Sequence, residues 1–352
     1  MPSPVKRLAR WAATRPALLP LYERLWPHQA TILMLHRFES HSMRVSGHSP
    51  EALNRDLAWL REHGYRFLSL SALVEALQEG APLEPRSVVF TVDDGYRDFA
   101  ETGAEVFARH DCPVTVFLTT GFLDGLCWFW WDQIDHALRQ TSQATFAGEL
   151  AGRPVGLAWG SPPARSAAVA EATRVLLHIP EPRRTAALGE LFASLGVTVP
   201  ITPPPEYAPM TWSQVRALAS QGVSFGPHTV THPNLATCAE ETASEEIAQS
   251  WDRVRTETEA VVPVFCYPFG GSATFGARER GIVRRLGLRA AVSAIHGHAS
   301  NDRPGAAIGD RILALPRWGY DDQMGTSYLA ATVSGLEAIK AVLRHEEVYR
   351  PA

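Results

Sequence analysis

Two carboxylates stand side by side in Asp93-Asp94-Gly95. Such neighbours can take different jobs: one holds a cation while the other removes a proton from water. Gly95 lets the backbone turn sharply enough for both to face one place. An Asp-Gly turn with a helix cap uses the same residues, and alone the motif is evenly divided between the two. His228-Thr-Val-Thr-His232-Pro233 sets two imidazoles four residues apart. That spacing predicts one face of a helical turn and chelation of one metal, although alone it more often marks capped or surface histidines. Cys266-Tyr-Pro-Phe-Gly-Gly271 ends an apolar run in an aromatic turn. Its backbone can offer an N–H to an oxyanion and its rings a surface to a sugar; alone it is an ordinary Pro-Gly turn. Taken together, one carboxylate and two histidines make a facial ligand set with open positions, as a hydrolytic metal needs. Zinc, cobalt, nickel and ferrous iron all suit these ligands.

The elements that must position these groups follow from hydrophobic pattern. Apolar runs at 31–35, 65–68, 88–92, 114–119, 223–226, 262–266, 289–294 and 312–315 read as strands. Helical periodicity fills the gaps: 50–63 after Ser49-Pro50, 70–79 before Gly80, 99–110, a helix capped by Thr211, 240–259 and 276–286. Strands alternating with helices predict an α/β chain, a distorted or incomplete (β/α) barrel of about seven strands. Residues 124–206 interrupt the rhythm with Trp128-Phe-Trp-Trp131 and Pro203-Pro-Pro205, and read as a mainly helical insertion. Chemistry in such barrels gathers at the C-terminal strand ends. His36, Asp93, Asp94, His228, Tyr267 and Arg317 all fall at or just past a run's end.

The expected organisation is a basic segment at 1–27, the barrel at 28–123 and 207–325, the insertion or cap at 124–206 and a C-terminal helix at 326–352. The 352 residues carry a formal charge of −4, with 45% hydrophobic and 20% charged residues, and a pI near 6.4. This excludes a disordered chain and argues against a nucleic-acid partner. The four cysteines form no CxxC pair, so a zinc ribbon is unsupported. No signal peptide or membrane span is apparent. These features give a cytoplasmic expectation, with peripheral contact at the inner membrane through Lys6, Arg7, Arg10, Arg15, Arg24, Leu8, Trp11, Leu18 and Leu19 as an option. Docking of that segment on the protein's own surface is the favoured reading. Oligomeric state is not legible.

The ordered series Thr91-Val-Asp-Asp-Gly95, His228-Thr-Val-Thr-His232-Pro233 and Tyr267-Pro-Phe-Gly270 resembles the polysaccharide deacetylases with a NodB homology domain, carbohydrate esterase family 4. Leu33-Met-Leu-His36 and Leu315-Pro-Arg317 look like the branch acting on bacterial exopolysaccharide, including poly-N-acetylglucosamine. The resemblance implies removal of N-acetyl groups from an amino-sugar polysaccharide or its glycolipid precursor, with one divalent metal, zinc before cobalt, nickel or iron. It places Asp93 as catalytic base, and Asp94, His228 and His232 as metal ligands. Phe269 is the backbone oxyanion donor where the family usually has Tyr.

Two departures stand out. The Arg that opens the family's third motif is replaced at Cys266 or its neighbour. The late Leu-x-His acid is absent, and Leu315-Pro-Arg317 occupies its region. Arg317 could orient Asp93 by a bidentate pair. His36, at a strand end, is preferred over His296 and His298 as the acid. Trp131, Ile134 and Leu138 make a helical stripe that is more often a core seam than a sugar platform. The competing reading is a catalytically inactive carbohydrate-binding relative in polysaccharide assembly. A metal-dependent phosphoesterase would call for more carboxylates and a second metal.

Overall fold

The computed structural model describes residues 10–24, 28–40, 45–301 and 308–343. Strands β1 (Gln29–Leu35), β3 (Ser87–Val92) and β4 (Val114–Leu118) are buried almost throughout. Unbroken apolar runs of this kind are what a parallel sheet covered on both faces requires. β1, β3, β4 and β7 (Ser224–Pro227) pair in parallel in that spatial order. A bridge from Phe225 to Val261 carries the curl on to β8 (Val264–Cys266), which pairs in parallel with β9 (Ala290–Val292). Val292 bridges Leu315, and β11 (Trp318–Gly319) returns in parallel to β1. The strands thus wrap almost back onto the first, forming an incomplete (β/α) barrel. β2 (Arg66–Phe67) extends β3, and β10 (Ala299–Ser300) lies antiparallel on β1.

Local chemistry starts the helices. A short helix α1 (Leu19–Glu23) precedes β1. Ser49 accepts from the Ala52 N–H to open α2 (Pro50–Glu62), and Ser69 caps α3 (Leu70–Glu79), which Gly80 closes in the left-handed region. The 99–110 segment is not one regular helix: a π-helical turn at Phe99–Gly103 precedes α4 (Ala104–Arg109). A single turn, α5 (Thr120–Leu123), then follows β4.

The insertion contains helices α6 (Trp130–Gln140), α7 (Pro162–Leu176) and α8 (Glu181–Ser194) around their own apolar cluster. It also holds an antiparallel hairpin, β5 (Thr145–Leu150) with β6 (Arg153–Ala158). The periodicity gives little warning of it, because its turn is Ala151-Gly152, both at positive φ, without the usual Asn-Gly signal. Back in the barrel, a Thr211–Gln214 capping box opens α9 (Trp212–Ala219). Next come α10 (Glu240–Glu257) and α11 (Ala277–Arg285).

Two expectations near the C-terminus are corrected. Residues 312–315 are not a strand: Gly309–Ala314 is a 3-10 helix, and strand pairing begins only at Leu315. Ile312, Leu313 and Ala314 are all buried, and a short run buried all round carries no period to separate the two. In place of one helix at 326–352 there are two, α12 (Thr326–Val333) and α13 (Leu336–Leu343), parted at Gly335 with φ 84°. Residues 344–352 lie outside the described residues, as do 1–9 and 25–27 of the basic segment. In the part of that segment described, Leu19 is buried, and Arg10 lies over Tyr328 and near Glu337. Trp11, Leu18 and Leu21 are exposed. No helix among the described residues is long and apolar enough to cross a membrane.

Candidate active site and metal centre

The sheet delivers Asp93 and Asp94 at the end of β3, where the chain leaves the barrel. Asp94 takes φ 76° and Gly95 φ 89°, so the two carboxylates diverge from one turn. Asp93 points to Arg317. The guanidinium donates from Nη1 to Oδ1 at 2.8 Å and from Nη2 to Oδ2 at 2.7 Å, and both residues are buried. Arg317 is itself held by the Thr91 hydroxyl (3.0 Å) and the Ser293 carbonyl (2.8 Å). Burial opposes ionisation of Asp93, but the forked Arg317 holds its carboxyl well below the usual carboxylate range.

Asp94 points the other way. Its Oδ1 is 3.5 Å from the Nε2 of both His228 and His232. The three ligand atoms lie within 4.8 Å of one another. His228 donates from Nδ1 to the Cys266 carbonyl at 2.8 Å, which orients the ring and leaves Nε2 facing Asp94. His232 Nδ1 is buried without a partner among the described residues. Burial, then the neighbouring His228, push the His232 pKa down to about 3, so the ring is neutral, as ligation requires. This donor set of two imidazoles and a carboxylate fits a divalent cation of the zinc type.

The histidine motif is not helical, contrary to its spacing. His228 follows directly on β7, and Thr229 and His232 adopt φ of 65° and 58°. Left-handed residues, not a helical face, bring the rings together, with centroids 4.7 Å apart. Such strain persists only where surroundings enforce it. Here Glu246 of α10 enforces it. Its carboxylate accepts from the Val230 and Thr231 N–H groups at 2.8 and 2.9 Å, and from the Thr231 hydroxyl at 2.6 Å. Nothing in the sequence singles out Glu246 from the other acids of that helix.

Cys266 is the second residue that motif reading undervalued. Arg317 Nη2 is 3.2 Å from its Sγ, and the Sγ is 3.4 Å from Asp93 Oδ2. The thiol therefore accepts from the arginine and donates to Asp93. Burial pushes its pKa up and keeps the proton on sulfur.

Phe269 and Gly270 both take φ 61°. Gly270 is obligatory: a Cβ there would come within 2.5 Å of the Ala294 nitrogen. Phe269 packs on His232 with centroids 4.8 Å apart. Among the described residues its N–H meets no acceptor.

Asp93, Asp94, His228, His232, Phe269 and Arg317 line one cavity of about 240 Å³. The insertion contributes Trp131 and Thr173 to its wall. Trp131 stacks on Phe129 and meets His232 edge-on at 5.0 Å, whereas Trp128 and Trp130 are buried. Of the three candidate acids only His36 lines this cavity, half-exposed, with Nε2 4.0 Å from Asp93 Oδ2. His296 stacks on Trp318.

His298 lies buried beside β1, with Nδ1 3.0 Å from the Thr31 hydroxyl, and burial pushes its pKa down to about 3. It therefore acts on stability. Unfolded, it binds a proton below about 6.5; folded, it stays neutral down to about 3. Stability should fall as pH drops through that window, by at most about 1.4 kcal/mol per pH unit from this group. His298→Asn should flatten that slope in denaturant melts, and an unchanged slope would refute the assignment.

Comparison with known proteins follows the same lines. Residues 182–291 match the polysaccharide deacetylase family model, a stretch that includes His228, His232 and Phe269. The similarity to that family covers less than half of the chain. The chain is 38% identical over 82 residues to the poly-beta-1,6-N-acetyl-D-glucosamine N-deacetylases of Escherichia coli K12 and O157:H7. That match spans 22% of this chain and 12% of the relatives' length. Among solved structures, the Streptococcus pyogenes deacetylase PplD is similar over 87% of this chain and 98% of its own, with 20% identity and TM-score 0.55. IcaB from Ammonifex degensii covers 87% and 97% at 15% identity and TM-score 0.52. The BpsB deacetylase domain from Bordetella bronchiseptica covers 84% and 96% at 15% and 0.51. At these identities the likeness is one of fold, that of the (β/α)-barrel deacetylases.

Proposed function

We propose that this protein is a metal-dependent hydrolase that removes N-acetyl groups from an amino-sugar glycan of the poly-N-acetylglucosamine type. The observation that carries this reading is a buried carboxylate, Asp93, forked by a buried arginine within one cavity that also holds the Asp94–His228–His232 ligand set. A divalent cation held by those three residues would supply Lewis acidity to the amide carbonyl and to the attacking water. Asp93 is ionised at any working pH and accepts the water's proton. Being a weak base, it depends on water already acidified in the site. The Phe269 N–H stabilises the oxyanion. His36 protonates the departing nitrogen. The C–O bond forms first, giving the tetrahedral oxyanion, and the C–N bond then breaks as the nitrogen takes its proton, leaving acetate and a free amine.

A carbohydrate-binding protein without catalysis has no use for a base oriented in this way. A two-metal phosphoesterase is disfavoured too. The second group of candidate ligands, Asp93, His228 and Cys266, shares His228 with the first and has its carboxylate committed to Arg317. Acetate release from N-acetylated oligosaccharides, with metal content measured on the same sample, tests the reading. Protein that takes up neither zinc nor cobalt would overturn it.

The same proposal includes peripheral contact with an anionic membrane, supported by exposed Trp11, Leu18 and Leu21 beside Arg15 and Arg24. Co-sedimentation with phosphatidylglycerol vesicles but not phosphatidylcholine vesicles is expected. Equal recovery with both would reject the contact.

A further inference from the structure

A second cavity opens beside the first and shares His36 with it. It is the larger, about 650 Å³. Its wall carries flat rings and planar hydrogen-bonding groups: His48, Tyr320, Tyr328, Gln323 and Asp321. The His48 and Tyr320 rings meet edge-on at 5.1 Å.

The wall is held in place from behind. The His48 N–H donates to the Arg37 carbonyl at 2.8 Å, and Glu39 N–H donates to the His48 carbonyl at 2.9 Å. The chain at Gly47 presses so closely on Arg37 that a Cβ would lie 2.6 Å from its carbonyl carbon. Asp322 accepts from the Ser49 N–H at 2.9 Å and lies 3.2 Å from His48 Nδ1. A surface fixed in this way loses little freedom when it binds.

Its chemistry suits a pyranose, which offers an apolar ring face to aromatic groups and hydroxyls to polar ones. It does not suit a phosphate or a polyanion. Asp321 is exposed there, and the guanidinium of Arg37 is engaged by Asp98 at 2.7 Å. The insertion closes part of the metal cavity's own wall with Trp131 and Thr173, whereas neither residue lines the groove.

We propose that this groove seats the neighbouring sugar residue of the same glycan, so that the substrate chain leaves the metal cavity past His36, toward β11 and α12. The inference rests on the deacetylase reading and adds to it a direction for the polymer and a preference for substrates longer than one sugar.

Gly319 gives the test. It lines the groove, its φ is not in the left-handed region, and a Cβ there meets no atom within 4 Å. Gly319→Trp should therefore fill the groove without straining β11. The probes are an N-acetylglucosamine trisaccharide and a small aryl acetate ester, which needs only the metal cavity. The ratio of their kcat/KM values should fall about tenfold or more in Gly319→Trp, mainly through the trisaccharide KM. Gln323→Ala should move the ratio the same way by about threefold. Equal proportional losses on both probes, or an unchanged ratio, would overturn the groove and leave the deacetylase reading standing. Wild-type protein that releases acetate from the ester but not from the trisaccharide would overturn that reading, and the groove with it.

Discussion

Asp93→Asn is expected to lower acetate release by about 10²- to 10⁴-fold, the usual contribution of a positioned general base. Metal content should not change, because the three ligand atoms belong to Asp94, His228 and His232. His228→Ala should lose release and metal together. The two variants therefore separate base from ligand on one preparation, by acetate assay and elemental analysis. Asn at 93 keeps an oxygen for Arg317 but removes the charge that the buried guanidinium faces, so a lower melting temperature is expected as well. Retention of more than about a tenth of wild-type activity in Asp93→Asn would assign the proton transfer elsewhere.

Arg317→Leu is the second large effect. It strands a buried carboxylate without its partner, and breaking a pair of this kind costs about 3–5 kcal/mol. The pH dependence should also change. In the wild type the Asp93 carboxyl is depressed below its unfolded value, so the stability it contributes is complete above about 3.9 and is lost as pH falls through the lower, folded value. Without Arg317 the main opposition to burial is gone, leaving His228, His36 and the Cys266 thiol, and that value rises. The acid limb of the pH–rate profile should therefore move to higher pH. Arg317→Lys should recover part of the stability but not the rate, since an ammonium cannot fork both oxygens. An acid limb that stays put in Arg317→Leu would show that Asp93 is not the group being read.

The site was legible in sequence where a buried strand stops abruptly. The run 88–92 ends at Asp93-Asp94, and the run 223–226 ends just before His228, so both motifs had to sit on one rim of the barrel. What positions them was less legible. The histidine spacing suggested a helical turn, but the two rings meet through left-handed residues clamped by Glu246, a contact 15 residues away in sequence. The Asp93–Arg317 fork spans 224 residues; it was suggested only by the missing histidine of the resembling family, since no local pattern encodes so long a pairing. The β5–β6 hairpin is hard to read because β5 is exposed along most of its length and so carries no alternation, and its turn lacks the usual signal. The 3-10 helix at Gly309–Ala314 imitates a strand because a short run buried on every side carries no period.

The partner of the base sits on the returning segment that brings the barrel back to β1, while every candidate metal ligand lies earlier in the chain. During synthesis from the N-terminus, a growing polypeptide would possess all three ligands some 85 residues before Arg317 is added, counting from His232. A nascent chain could then gather its cation while its base still lacked a counter-charge. Hydrolytic competence would come with the closing of the seam, so that the residue leading into β11 is also the one that arms the site.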